Sequence, residues 1–60
     1  MCLASAYAEK SKKLLMENTK TIEIEGDTVI LTDLFGKVER IKGTIANIDL
    51  EENRVIIKVA

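Results

Sequence analysis

The stretch Thr19-Lys20-Thr21-Ile22-Glu23-Ile24-Glu25-Gly26-Asp27-Thr28-Val29-Ile30-Leu31-Thr32 decides the fold. Side chains along a β-strand point alternately to opposite faces. Ile22 and Ile24, separated by Glu23 and followed by Glu25, therefore read as the inward positions of a half-buried strand. Gly26-Asp27 is a tight-turn signal, because glycine tolerates positive φ. Thr28 to Thr32 is rich in β-branched residues and reads as the returning arm of a hairpin.

Downstream, Asp33-Leu34-Phe35-Gly36 breaks the alternation and reads as a loop. Asp33 is expected to cap the turn, and one of the two apolar residues, Phe35 in particular, to fold back as a core filler. Lys37 to Lys42 offers Val38 and Ile41 among charges, and their uneven spacing suggests a bulge near Glu39-Arg40. Gly43 suits a bend at a barrel corner. Thr44 to Leu50 carries Ile45 and Ile48, Glu51-Glu52-Asn53 is a polar turn, and Arg54 to Val59 sets Val55, Ile57 and Val59 opposite Ile56.

Upstream, residues 2–8 alternate as a first strand, with Leu3, Ser5 and Tyr7 on one face and Cys2, Ala4, Ala6 and Ala8 on the other. Residues 9–13 form a charged surface turn. Leu14 to Met16 is compatible with a short strand or with one helical turn. Five to six short antiparallel strands joined by short turns predict an all-β fold, and the length suits a small SH3-like barrel better than an OB-fold. Residues 1–60 are expected to form a single domain.

The chain has 60 residues, 47% of them hydrophobic, with one Phe, one Tyr and no Trp, so its core must be built from Ile, Leu and Val. A chain this short buries only about 60% of the surface its unfolded form exposes, so a metal, a disulfide or a partner subunit commonly supplements the core. One cysteine cannot make an internal disulfide, which favours a metal or a second copy of the chain. Nine basic residues oppose ten acidic ones, and the net charge of −1 lacks the basic excess of most nucleic-acid binders. No apolar run approaches the roughly 20 residues of a membrane span. Residues 1–8 lack the basic start and the length of a secretory signal. A lone free thiol fits a reducing compartment, so the cytoplasm is the expected location. The chain has no histidine, the commonest general acid–base residue and metal ligand, and no other catalytic constellation, so an enzyme is not expected.

Chemistry concentrates at Cys2. If Met1 is retained, its amine, the deprotonated Cys2 amide and the Cys2 thiolate can close two fused five-membered chelate rings on one metal. If Met1 is removed, the Cys2 amine and thiolate close one. Mixed nitrogen and thiolate donors suit Ni(II) or Cu(II), and thiolates alone suit Cu(I) or Zn. One chain supplies about three such donors at most, and a twofold dimer would bring two Cys2 residues together. The alternative is that Cys2 is simply a small buried hydrophobe.

The opening Met1-Cys2-Leu3-Ala4, the central run from Ile22 to Gly36 and the closing run from Gly43 to Leu50 resemble the CooT family of small proteins associated with nickel supply to carbon monoxide dehydrogenase. The resemblance covers essentially the whole chain and is least clear at residues 10–17. It implies a homodimer of SH3-like subunits in which the cysteine after the initiator methionine binds nickel; the donor chemistry above leaves Cu+ as a competitor. Carried over, that residue is Cys2; Met1 enters as co-ligand through the chelate rings above and not through the resemblance. The implied partners are a second copy of the chain and carbon monoxide dehydrogenase or its maturation factors. Some members of that family are labelled RNA-binding, which makes an RNA-binding SH3-like or Sm-like module the alternative. The absence of stacking aromatics and of positive charge weighs against it.

Other constellations read as structural. Glu23 and Glu25 face solvent, the Lys10-Ser11-Lys12-Lys13 run is a solvated turn, and Tyr7 is an edge or interface aromatic. Asp49, Glu51 and Glu52 could hold a hard cation weakly but lack EF-hand spacing.

Overall fold

The structure, a computed structural model, describes residues 3–60. Five strands follow one another: β1 (Ala4–Ala8), β2 (Leu14–Glu25), β3 (Thr28–Asp33), β4 (Val38–Asp49) and β5 (Arg54–Val59). They close into a barrel in the order β1-β2-β3-β4-β5. Each consecutive pair is antiparallel, as expected, and the ring is completed where β5 runs parallel to β1, with Ser5 opposite Arg54 and Ala8 opposite Ile57. The described residues include no helix long and apolar enough to cross a membrane.

Two long strands make closure possible. β2 and β4 each span 12 residues and each serve two neighbours. The first part of β2 pairs with β1 and its second part with β3, the change falling at Asn18-Thr19. Asn18 has φ 53°, a left-handed conformation that asparagine tolerates better than most residues, and register shifts flank Thr19 in both ladders. In β4 the change falls at Gly43: Val38 to Lys42 pair with β3, and Gly43 to Asp49 with β5. Gly43 has φ 151°, and a Cβ there would collide with the Lys58 carbonyl oxygen. The corner expected at Gly43 is thus present, and it needs glycine for both conformation and clearance.

The core cluster is Ala6, Met16, Val29, Leu31, Val55 and Ile57, with Ala4, Leu15, Ile22, Ile41 and Ile45 packed against it. The alanine face of β1 is the inner one. Its small side chains leave room for the larger Met16 and Ile57. Ile30 is buried outside that cluster, where its cross-strand partners are Glu23 and Arg40, whose aliphatic stems can cover it.

Several expectations are corrected. Leu14 to Met16 is strand, continuous with the rest of β2. Ile24 is 66% exposed although its cross-strand partner Val29 is a core residue, whereas Ile22, opposite Leu31, does pack inward. Leu34 and Phe35 do not fold back over the core, and Phe35 is 82% exposed at the tip of a tight turn. The β3–β4 ladder is regular through Glu39 and Arg40. The bulge of β4 instead lies between Ile45 and Asn47, where one extra residue keeps β4 paired beyond the Gly43 corner. Ile48 and Val59, at the strand ends, are about half exposed. The Gly26-Asp27 turn is present, with Gly26 at φ 61°.

Candidate metal centre

The residues proposed from the sequence to hold a metal, Met1 and Cys2, lie outside the described residues. What the structure does show is the place where the chain enters the barrel at Ala4. On one side, Ala4 stands opposite Thr19 of β2. On the other, the Ser5 amide donates to the Asn53 carbonyl (2.9 Å), and Ser5 stands opposite Arg54. Asn18 within β2 and Asn53 in the β4–β5 turn both adopt left-handed φ, 53° and 54°, on the two sides of the entry point. The Leu34 amide donates to the Asn18 carbonyl (2.9 Å), which ties the β3–β4 turn to the same corner.

That turn is tightly organised. One oxygen of the Asp33 carboxylate, Oδ1, accepts from the amides of Phe35 and Lys37, each at 2.8 Å, and the Asp33 amide donates to the Lys37 carbonyl. The expected capping role of Asp33 is therefore met, while Phe35 stays outside the core. Asp49 acts similarly, its Oδ1 accepting from the Glu51 and Glu52 amides at 3.0 Å. That geometry gives Asp49 a structural task at the polar turn. Among the described residues, no group of three or more His, Cys, Asp or Glu side chains could hold a metal ion together.

The Lys10–Lys13 turn is exposed, with Lys12 at φ 63° and its amide donating to the Ala8 carbonyl. Tyr7 is half-buried on the outer face of β1, and the Arg54 guanidinium lies 6.0 Å from its ring centroid. Glu23 and Glu25 are exposed, as expected of solvent-facing carboxylates.

One feature of the entry point was not legible in the sequence. Thr19 is 4% exposed, and its hydroxyl oxygen has no hydrogen-bond partner among the described residues. A threonine between Asn18 and Lys20 gives no local sign of burial; the sign comes only from the corner geometry.

Residues 1–58 match the family described as CO dehydrogenase accessory protein CooT. The chain belongs to the CooT family. The match begins at residue 1 and so takes in Met1-Cys2. The uncharacterized protein MJ1551 of Methanocaldococcus jannaschii is 40% identical over 58 residues, which cover 97% of this chain and 98% of that one. The crystal structure of a CooT candidate from Carboxydothermus hydrogenoformans superposes with a TM-score of 0.88 at 23% identity, with 98% of each chain covered. At that identity the agreement establishes the shared CooT fold.

Proposed function

We propose that this protein is a non-catalytic nickel-binding accessory factor of the cytoplasm, which carries Ni(II) as cargo for carbon monoxide dehydrogenase. The observation that supports this most directly is the CooT family match, which starts at Met1 and includes Cys2. The chain's chemistry agrees. With one cysteine and no histidine in the whole sequence, a thiolate site must use Cys2, and its other donors must come from nitrogen, oxygen, a methionine thioether or the Cys2 of a second copy.

Where Met1 carries a free α-amine, that amine and the Cys2 amide complete a planar nitrogen–sulfur donor set. Two copies of the chain would pair their Cys2 thiolates across a twofold axis. Exposed apolar side chains, among them Leu50 at 83%, give a second copy apolar surface to cover. The protein would hold nickel and pass it on to the dehydrogenase or one of its maturation factors, with Cu+ the competing ion.

The test is titration of the reduced protein with Ni(II), following thiolate-to-metal charge-transfer absorption, together with a mass measurement of the oligomer. The parent is expected to bind as a dimer, and Cys2→Ser to lose tight binding while keeping its fold. Equal affinity in the serine variant would overturn the reading.

A further inference from the structure

Three lysines converge on a groove at the end of the barrel where β1 turns into β2. Lys10 and Lys13 come from that turn and Lys58 from β5. The groove has a volume of about 350 Å³, and Ala8, Leu15 and Val59 give it an apolar lining. Lys12, on the same turn, borders a second hollow beside Tyr7 and Arg54. Backbone bonds hold this arrangement. The Lys12 amide donates to the Ala8 carbonyl (3.0 Å) and the Ala8 amide to the Lys13 carbonyl (2.9 Å). The Glu9 amide donates to the Ile57 carbonyl (2.8 Å), which ties the turn to β5.

The four ammonium groups are not neutralised from among the described residues. Ion pairs there join Lys37 to Glu39, Lys42 to Asp27 and Arg54 to Glu52, and none reaches Lys10, Lys12, Lys13 or Lys58. Glu9 brings the one carboxylate among the residues that line the groove. With the four lysines it gives this end a local charge of +3 in a chain of net charge −1, so the other residues carry −4. Gathered like charges repel, and a groove focuses the potential they create. An anionic partner relieves that repulsion, and the apolar lining gives an aliphatic side chain a place to bury.

We propose that this groove docks an acidic segment of a partner protein, one that carries aliphatic side chains among its carboxylates. The chemistry favours protein over nucleic acid. Neither aromatic residue of the chain lines the groove, so bases have nothing there to stack on. Phosphates would leave the apolar lining unused. The groove lies at the far end of β1 from Ala4, about 13 Å away at roughly 3.3 Å per residue. A docked partner therefore leaves the entry end of the barrel uncovered, and the proposal does not depend on the nickel reading.

Nuclear magnetic resonance on the isotope-labelled full chain tests this, with a synthetic peptide of repeated Glu-Glu-Leu as the ligand. The peptide is expected to shift the amide signals of Ala8 to Lys13, Lys58 and Val59 and to leave the turns at Phe35 and Leu50 unmoved. Exchanging its Glu for Gln, or its Leu for Ser, is expected to weaken binding, and so is added salt. The double variant Lys13→Glu with Lys58→Glu is expected to lose at least about tenfold in affinity, with circular dichroism to check the fold. Lys10→Gln with Lys13→Gln, confined to the exposed turn, is expected to lose affinity in the same direction. No localised shift at about 1 mM peptide, which would reveal even millimolar affinity, overturns the proposal. Undiminished affinity in the folded lysine variants also overturns it. So does tighter binding of an oligouridylate RNA at the same amides, which assigns the groove to nucleic acid. Shifts there that grow with protein concentration alone assign it to a second copy of the chain and overturn it as well.

Discussion

Gly43 faces the carbonyl oxygen of Lys58 so closely that any side chain at position 43 must displace the β5 backbone. The conflict is with main chain, held by the β4–β5 ladder in which Gly43 pairs with Val59 and Thr44 with Lys58. Backbone strain adds to it, since φ 151° is seldom adopted by residues other than glycine. Gly43→Ala is therefore expected to destabilise the barrel by about 2–4 kcal/mol. A denaturant melt checks this, with Gly36→Ala as control: Gly36 has φ 90° but nothing near its added Cβ, so it carries the strain without the collision and should cost less.

Leu31 and Ile57 are both fully buried, the first on β3 between β2 and β4 and the second on β5, which closes the ring against β1. Truncating Leu31 to alanine should cost about 2–5 kcal/mol, which in so small a core is enough to leave much of the protein unfolded. Ile57→Val removes one methylene and should cost about 0.5–1.5 kcal/mol. Thermal melts of the two variants should rank in that order. Equal midpoints would mean that Leu31 is not the central packing residue.

The contrast between legible and illegible features follows from range. The Ile22–Thr32 hairpin was readable because alternation and a Gly-Asp turn are local, and the corner at Gly43 because a glycine inside a strand pattern has few other uses. Leu14 to Met16 stayed ambiguous because its strand character comes from pairing with β1, a contact distant in sequence. Phe35 was misplaced for a similar reason. Apolar content suggested a core role, but the two amides bonded by Asp33 fix the turn in a form that turns its tip away from the barrel. The proposed metal ligand rests on sequence chemistry alone, a thiol beside an amine at residues that lie outside the described ones. Thr19, the buried hydroxyl at the entry corner, needed the three-dimensional register.

The affinity for nickel should fall as pH is lowered. Thiolate and amine donors must lose their protons before they bind, and protons therefore compete with the metal. The direction is independent of the exact donor count: each proton released on binding steepens the loss. Nickel titrations at a series of pH values, with circular dichroism to confirm that the barrel persists, check this. Affinity that stays constant through the acidic range while the protein remains folded would argue for carboxylate or backbone oxygen donors in place of Cys2.

Asp33 and Phe35 make opposite predictions about the same turn. Asp33→Ala removes the acceptor for two amides at once and should cost about 1–2 kcal/mol, most of it from the unpaired amides and the loosened turn. Asp33→Asn retains a side-chain oxygen and should recover much of that. Phe35→Ser should change stability by no more than about 0.5 kcal/mol, because the ring is 82% exposed and contributes little burial. Chemical denaturation of the three variants, monitored by far-ultraviolet circular dichroism, separates the roles. A large loss in the serine variant would mean that the ring is covered in solution, for which a second copy of the chain is the first candidate, and repeating the melt at several protein concentrations would then reveal that partner as a concentration-dependent midpoint.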